Sequence, residues 1–172
     1  MNKTGKIIVL IFVAALLGGL GYMFVHKMNQ KTEAAENIKT LPSFSFKTLD
    51  GAEFSNKDLK AQTPTVFLFF STQCDFCHYE AREIKKNIEQ FSNYQICMVC
   101  SDKLEEIAEF TKVYDLDKYP QIKVLQDPER KSFTYFAIAT VPSTYIYSGD
   151  GSLIKEYKGE TKIEAVLDAI RK

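Results

Sequence analysis

Apolar and polar positions follow three regimes along the chain. From Ile7 to Val25 no residue is charged, and the run reads IIVLIFVAALLGGLGYMFV. At ~1.5 Å per residue, a helix of that length nearly spans the ~30 Å hydrocarbon core of a bilayer. Residues 26–40 are polar, lack apolar periodicity and have the character of a linker. From Leu41 onward short apolar runs alternate with helical spacing, and this third regime predicts a folded domain over 41–172.

Within that domain, Phe44 and Phe46 alternate with polar residues ahead of Asp50-Gly51 and Phe54, which predicts a small hairpin. The unbroken run Thr65 to Phe70 (TVFLFF) suits a strand buried on both faces. Cys77, Ala81, Ile84, Ile88 and Phe91 then recur at steps of 4, 3, 4 and 3 and draw one apolar helix face. A second buried strand follows over Tyr94 to Cys100. Asp102 with Glu105 resembles a capping box, and Leu104, Ile107, Phe110 and Tyr114 continue as a helix. Ile122 to Leu125 predicts a short strand, and Asp127-Pro128 a turn into a short helix ending at Phe136. Thr144–Tyr147 and Leu153–Tyr157 flank Gly149-Asp150-Gly151, a hairpin signal. Thr161 with Glu164 would cap a last helix to Ile170. Alternating strands and helices closed by an antiparallel hairpin predict an α/β fold with a mixed central sheet.

The apolar N-terminal run is longer than the ~7–15-residue core of a cleaved signal peptide, and no small-x-small site closes it. An uncleaved transmembrane anchor over 7–25 is the expectation, with a cleaved signal as its alternative. Lysines flank both ends, so charge gives little orientation. The redox chemistry below favours residues 1–6 in the cytoplasm and the domain on the periplasmic or extracytoplasmic side.

The chain has 172 residues and zero formal net charge, which gives no electrostatic case for nucleic acid. Its four cysteines form two C-x-x-C pairs, Cys74/Cys77 and Cys97/Cys100. Such pairs serve zinc or redox chemistry, and their surroundings must decide. Cys97 and Cys100 fall within a predicted strand. Residues three apart there point to opposite faces ~10 Å apart, beyond disulfide reach. They are expected to be small buried apolar residues, with Cys100 at the strand end nearer Cys74.

Cys74 follows a buried strand and opens a helix, in FFSTQCDFCHYE. The first turn of a helix carries unpaired N–H groups and a partial positive charge, which stabilise a thiolate. Cys74 is therefore the expected attacking thiol. Cys77, one turn on and on the apolar face, is the expected resolving thiol. The neighbouring Asp75, and Glu80 if it faces the site, disfavour further negative charge and favour a reducing pair. Cys74, Cys77 and His78 could also start a metal site, but no fourth ligand is evident. Otherwise His78 is expected at the surface. No cofactor and no metal are expected.

A C-x-x-C at a strand–helix junction, with Val141-Pro142 ahead of an edge hairpin, resembles the thioredoxin superfamily. Adding the anchor, the N-terminal hairpin, the stretch 101–126 and Glu80 three residues after the second Cys, it resembles the TlpA/ResA-type oxidoreductases of the AhpC/TSA group. The resemblance implies a thioredoxin-like fold and thiol–disulfide exchange through Cys74 and Cys77. It gives Val141-Pro142 the role of a cis-proline loop that docks substrate, and Glu80 that of the nearby acid. It implies exported disulfide clients such as apocytochrome c and a membrane thiol electron donor. Departures are Gln73 where the family has Trp, Asp75-Phe76 without the usual Pro, and Leu68 where a buried acid or amide is common. Two rivals share the fold. An AhpC/TSA-type peroxidase needs Ser or Thr three before its Cys, which Ser71 satisfies, and a nearby Arg that sequence alone does not place. A copper chaperone of the SCO type needs a wider cysteine spacing and a distant His.

Overall fold

The structure is a computed structural model that describes residues 17–24 and 36–171. Residues 17–24 are helical and exposed. The rest of the predicted 7–25 anchor, and most of the predicted linker, lie outside the described residues. Among those described, no helix is long and apolar enough to cross a membrane.

Contacts separate residues 1–36 from residues 37–172. The second unit takes in residues that polarity assigns to the linker. Ile38 is buried, the Tyr147 hydroxyl donates to its carbonyl at 3.1 Å, and Leu153 N–H donates to the Lys39 carbonyl at 2.8 Å. The folded unit therefore starts ahead of Leu41, because backbone pairing there needs no apolar periodicity.

Seven strands form one sheet: β1 (Ser45–Thr48), β2 (Glu53–Ser55), β3 (Thr65–Phe70), β4 (Gln95–Cys100), β5 (Ile122–Gln126), β6 (Ser143–Tyr147) and β7 (Leu153–Lys158), in the order β2-β1-β5-β4-β3-β6-β7. β3, β4 and β5 run parallel; β1 and β6 join them antiparallel, and β7 pairs antiparallel with β6. The helices are α1 (Asp75–Lys86), α2 (Leu104–Val113), α3 (Ser132–Tyr135) and α4 (Ile163–Ile170).

The alternation of a strand explains why TVFLFF is apolar throughout. Val66, Leu68 and Phe70 face α1, α2 and α4 in one core, with Ile96, Met98 and Cys100 beside them. Phe67 and Phe69 join Cys97, Phe44, Phe46, Phe136, Tyr145 and Tyr147 in a second core on the opposite face. Cys97 and Cys100 thus do lie on opposite faces. Ile88 and Phe91 continue the apolar stripe of α1 but sit in a separate 3-10 turn.

The β6–β7 turn depends on its glycines. A Cβ on Gly149 would lie 2.5 Å from the Gln62 carbonyl group, and Gly151 has φ +85°. Two expected capping boxes do not form. The residues ahead of α2 and α4 are Lys103 and Lys162, without side-chain caps. Asp102 and Thr161 bond elsewhere, at the site described next.

In the parallel register Phe70 pairs with Cys100. The β3–α1 loop carrying Ser71–Gln73 and the β4–α2 loop carrying Asp102 therefore leave the sheet side by side, at the carboxyl edge where open α/β sheets place their sites.

Candidate active site

Cys74 occupies the N-cap of α1, and its Sγ accepts the backbone N–H of Cys77 at 3.3 Å. The sulfur thereby satisfies one of the orphan donors of the first turn. Cys74 is half-buried, whereas Cys77 is fully buried against Ala81 and the sheet, and both are free thiols. Burial pushes the Cys77 thiol well above its usual range, and a hydrogen bond with Cys74 and the charges of Cys74 and Glu80 add to the rise. The two thiols thus differ in access, and burial opposes the ionisation of Cys77.

Opposite Cys74 the Val141-Pro142 peptide bond is cis, with Pro142 buried. The Cys74 thiol lies 4.0 Å from the Val141 carbonyl oxygen, within reach of a weak S–H donation. A cleft of about 230 Å³ lined by Ser71, Asp102, Arg130, Phe133 and Val141 runs along this side. Phe76 projects from the first turn of α1 and is 55 % exposed, so the rim near Cys74 carries a large apolar side chain beside the exposed Gln73 and Asp75.

Glu80 lies one turn beyond Cys77 and is only 5 % exposed. Its Oε1 accepts the Thr161 backbone N–H at 2.8 Å, and Oε2 has no hydrogen-bond partner among the described residues. Burial raises its pKa to about 7, against the lowering effect of the Thr161 bond. A carboxyl titrating there can exchange a proton with a neighbouring thiol near neutrality.

Polarity and spacing did not identify two further groups. Asp102 Oδ2 accepts from Ser71 Oγ at 2.8 Å, Thr72 N at 2.7 Å, Thr72 Oγ1 at 2.9 Å and Cys100 Sγ at 3.4 Å. Burial opposes its ionisation, but these bonds outweigh it and hold the carboxyl below the usual carboxylate range. His78, expected at the surface, packs on Phe110 and Tyr114. Its Nε2 lies 2.9 Å from the Thr72 carbonyl, which can only accept, so Nε2 carries the proton. Nδ1 then accepts from the Tyr114 hydroxyl at 2.7 Å in the neutral ring. Nδ1 thus ties α1 to the end of α2 and Nε2 ties it to the β3–α1 loop, which leaves neither directed at the cysteines as a metal ligand. The one sequence signal for this arrangement was the Phe110/Tyr114 face of α2.

Cys97 and Cys100 are buried, and burial pushes both thiols up to about 12. Cys100 approaches the site through its bond to Asp102 and through the Thr72 backbone.

A profile of the AhpC/TSA family matches residues 38–156. The thiol–disulfide oxidoreductase ResA of Bacillus thuringiensis subsp. konkukian is 26% identical over 100% of this chain and 98% of its own. A secreted disulfide oxidoreductase of Mycobacterium tuberculosis, homologous to E. coli DsbE, superposes with a TM-score of 0.65 at 18% identity, covering 79% of this chain and 97% of that one. Peroxidoxin BcpB of the same organism does so with a TM-score of 0.66 at 16% identity, covering 77% and 94%. The last two likenesses concern the fold alone.

Proposed function

The chain belongs to the AhpC/TSA family, and from that premise we propose that it is a membrane-anchored thiol–disulfide oxidoreductase that reduces disulfides of exported proteins. The observation that carries this reading is the asymmetry of the dithiol: Cys74 is half-buried at a helix N-cap, and Cys77 is sealed behind it.

The Cys74 thiolate attacks one sulfur of a client disulfide. The client S–S bond breaks, its other sulfur leaves and takes up a proton, and a mixed disulfide forms. Cys77 then gives its proton to Glu80 and attacks the Cys74 sulfur. The second client sulfur leaves as a thiol, and the enzyme is left with a Cys74–Cys77 disulfide. The client gains two electrons and two protons; a dithiol donor in the membrane returns them to the enzyme. The cleft beside Val141-Pro142 and the exposed Phe76 suit an extended client segment lying across Cys74. Apocytochrome c, whose heme-binding cysteines must be reduced, is a client of suitable chemistry. The charge-free run 7–25 supports a single-pass anchor with the domain on the extracytoplasmic side, where client disulfides persist.

One observation favours the peroxidase reading: Arg130 lines the same cleft as Ser71. Its guanidinium, however, stacks over Phe133 at 4.7 Å, and the Ser71 hydroxyl is spent on Asp102. Comparing turnover of insulin disulfides with consumption of hydrogen peroxide tests the assignment. Faster peroxide consumption, with insulin untouched, would replace it.

A further inference from the structure

Only Ser71, Thr72 and Gln73 separate the end of β3 from Cys74, and two of these three are gripped by one carboxylate. Asp102 Oδ2 receives the side chain of Ser71 and both the backbone N–H and the hydroxyl of Thr72. From the other side His78 holds the Thr72 carbonyl, and the Ser71 carbonyl accepts the N–H of Cys74 at 3.3 Å. Asp102 is itself fixed to the sheet. Gln126 Nε2 donates to its carbonyl at 3.0 Å, and Asp127 N–H donates to the Cys100 carbonyl at 2.8 Å. A continuous hydrogen-bonded path thus joins the carboxyl edge of β4 and β5 to the backbone of the N-cap residue Cys74.

We propose that Asp102 is a positioning residue for thiol–disulfide exchange: it clamps the Ser71–Gln73 loop so that the Cys74 sulfur stays at the helix N-cap, aimed at a disulfide lying against Val141. The inference rests on the oxidoreductase reading above. Thr72 is buried, so its backbone N–H has no solvent to fall back on when the carboxylate is removed. The loop must then rearrange to find an acceptor, and the Cys74 backbone moves with it. Displacement of a nucleophile by about 1 Å can slow a reaction by up to about a hundredfold while binding is retained. Asp102 touches no reacting atom, and its effect is expected in the rate at saturation.

The test uses the full-length chain in detergent, pre-reduced and mixed with insulin in single turnover. A second arm measures the reaction of Cys74 with 5,5′-dithiobis(2-nitrobenzoate). Asp102→Ala should slow the saturated insulin step about tenfold with the half-saturating concentration within about twofold, and slow the small disulfide in the same direction. Asp102→Asn keeps one acceptor oxygen and should lose about threefold; it carries the test if the alanine variant does not fold. Rates within about twofold of the parent for both disulfides in a folded variant overturn the clamp, as does a loss confined to half-saturation. If the parent itself leaves insulin intact, the oxidoreductase reading fails, and the small-disulfide comparison still decides the role of Asp102.

Discussion

Glu80 Oε1 accepts the backbone N–H of Thr161 at 2.8 Å, tying the middle of α1 to the segment that leads into α4. The bond satisfies only half of the carboxyl, since Oε2 is buried without a partner among the described residues. A protonated carboxyl suits such a place better than a carboxylate, and this is the physical cause of its raised pKa.

That rise fixes a stability prediction. The native state holds the Glu80 proton up to about pH 7, while the unfolded chain releases it near 4.5. The stabilisation is full below the unfolded value and is lost as pH rises through the folded one. Over that window the wild type should lose about 3 kcal/mol from this group. Glu80→Gln keeps the Thr161 bond and removes the titration. Urea unfolding at pH 5 and pH 8 should give a smaller drop for the variant. Equal drops in both proteins would show that Glu80 ionises freely.

The membrane reading rests on Ile7 to Val25. Sedimentation should leave the full-length chain with the membrane fraction at high salt, releasable by detergent, with its first residues intact by N-terminal sequencing. Burial of so many apolar side chains is insensitive to salt, unlike attachment by charge. A soluble mature form starting near Ala35 would establish cleavage instead.

The second C-x-x-C pair should be dispensable for chemistry. Cys97→Ala and Cys100→Ala remove buried sulfurs on opposite faces of β4. Each should cost about 1–2 kcal/mol in unfolding free energy and leave insulin turnover within about twofold. Cys100→Ala also deletes one of the four donors on Asp102, and the two hydroxyls and the Thr72 N–H remain. A tenfold loss in Cys100→Ala would make Cys100 a participant in exchange.

The strands and the dithiol were legible because each rests on a local rule. Alternation gives β3 its two buried faces, and the step of three puts Cys77 one turn behind Cys74. Asp102 was misread for the same reason. An acid three before a glutamate looks like a helix cap, but its partners Ser71 and Thr72 lie some thirty residues earlier and meet it only through the β3–β4 register. His78 was expected at the surface because its enclosure depends on Phe110 and Tyr114 arriving from α2, and only the helical face those two residues share pointed to it. Glu80 was nominated by position, but its enclosure required α4 and Thr161. Long-range hydrogen bonds of this kind leave no periodicity in the chain.

The proposed division of labour between the thiols can be trapped directly. With Cys77→Ser, the Cys74 thiolate should still attack a client, and nothing resolves the mixed disulfide, so client adducts accumulate on non-reducing gels. With Cys74→Ser, the three remaining thiols, Cys77, Cys97 and Cys100, are buried and burial opposes their ionisation, so no adducts should form. The reverse pattern would exchange the two roles. In the parent enzyme the resolving step needs a proton acceptor for Cys77, and Glu80 is the buried carboxyl whose charge reaches that sulfur. Resolution should therefore accelerate as pH rises through about 7, where Glu80 becomes a base. Glu80→Gln should remove that inflection and slow release of the client by about a hundredfold, the lower end of general-base contributions. Attack by Cys74 on the client should be much less affected. Stopped-flow quenching with acid separates the two steps. An unchanged inflection in Glu80→Gln would assign the proton to another group.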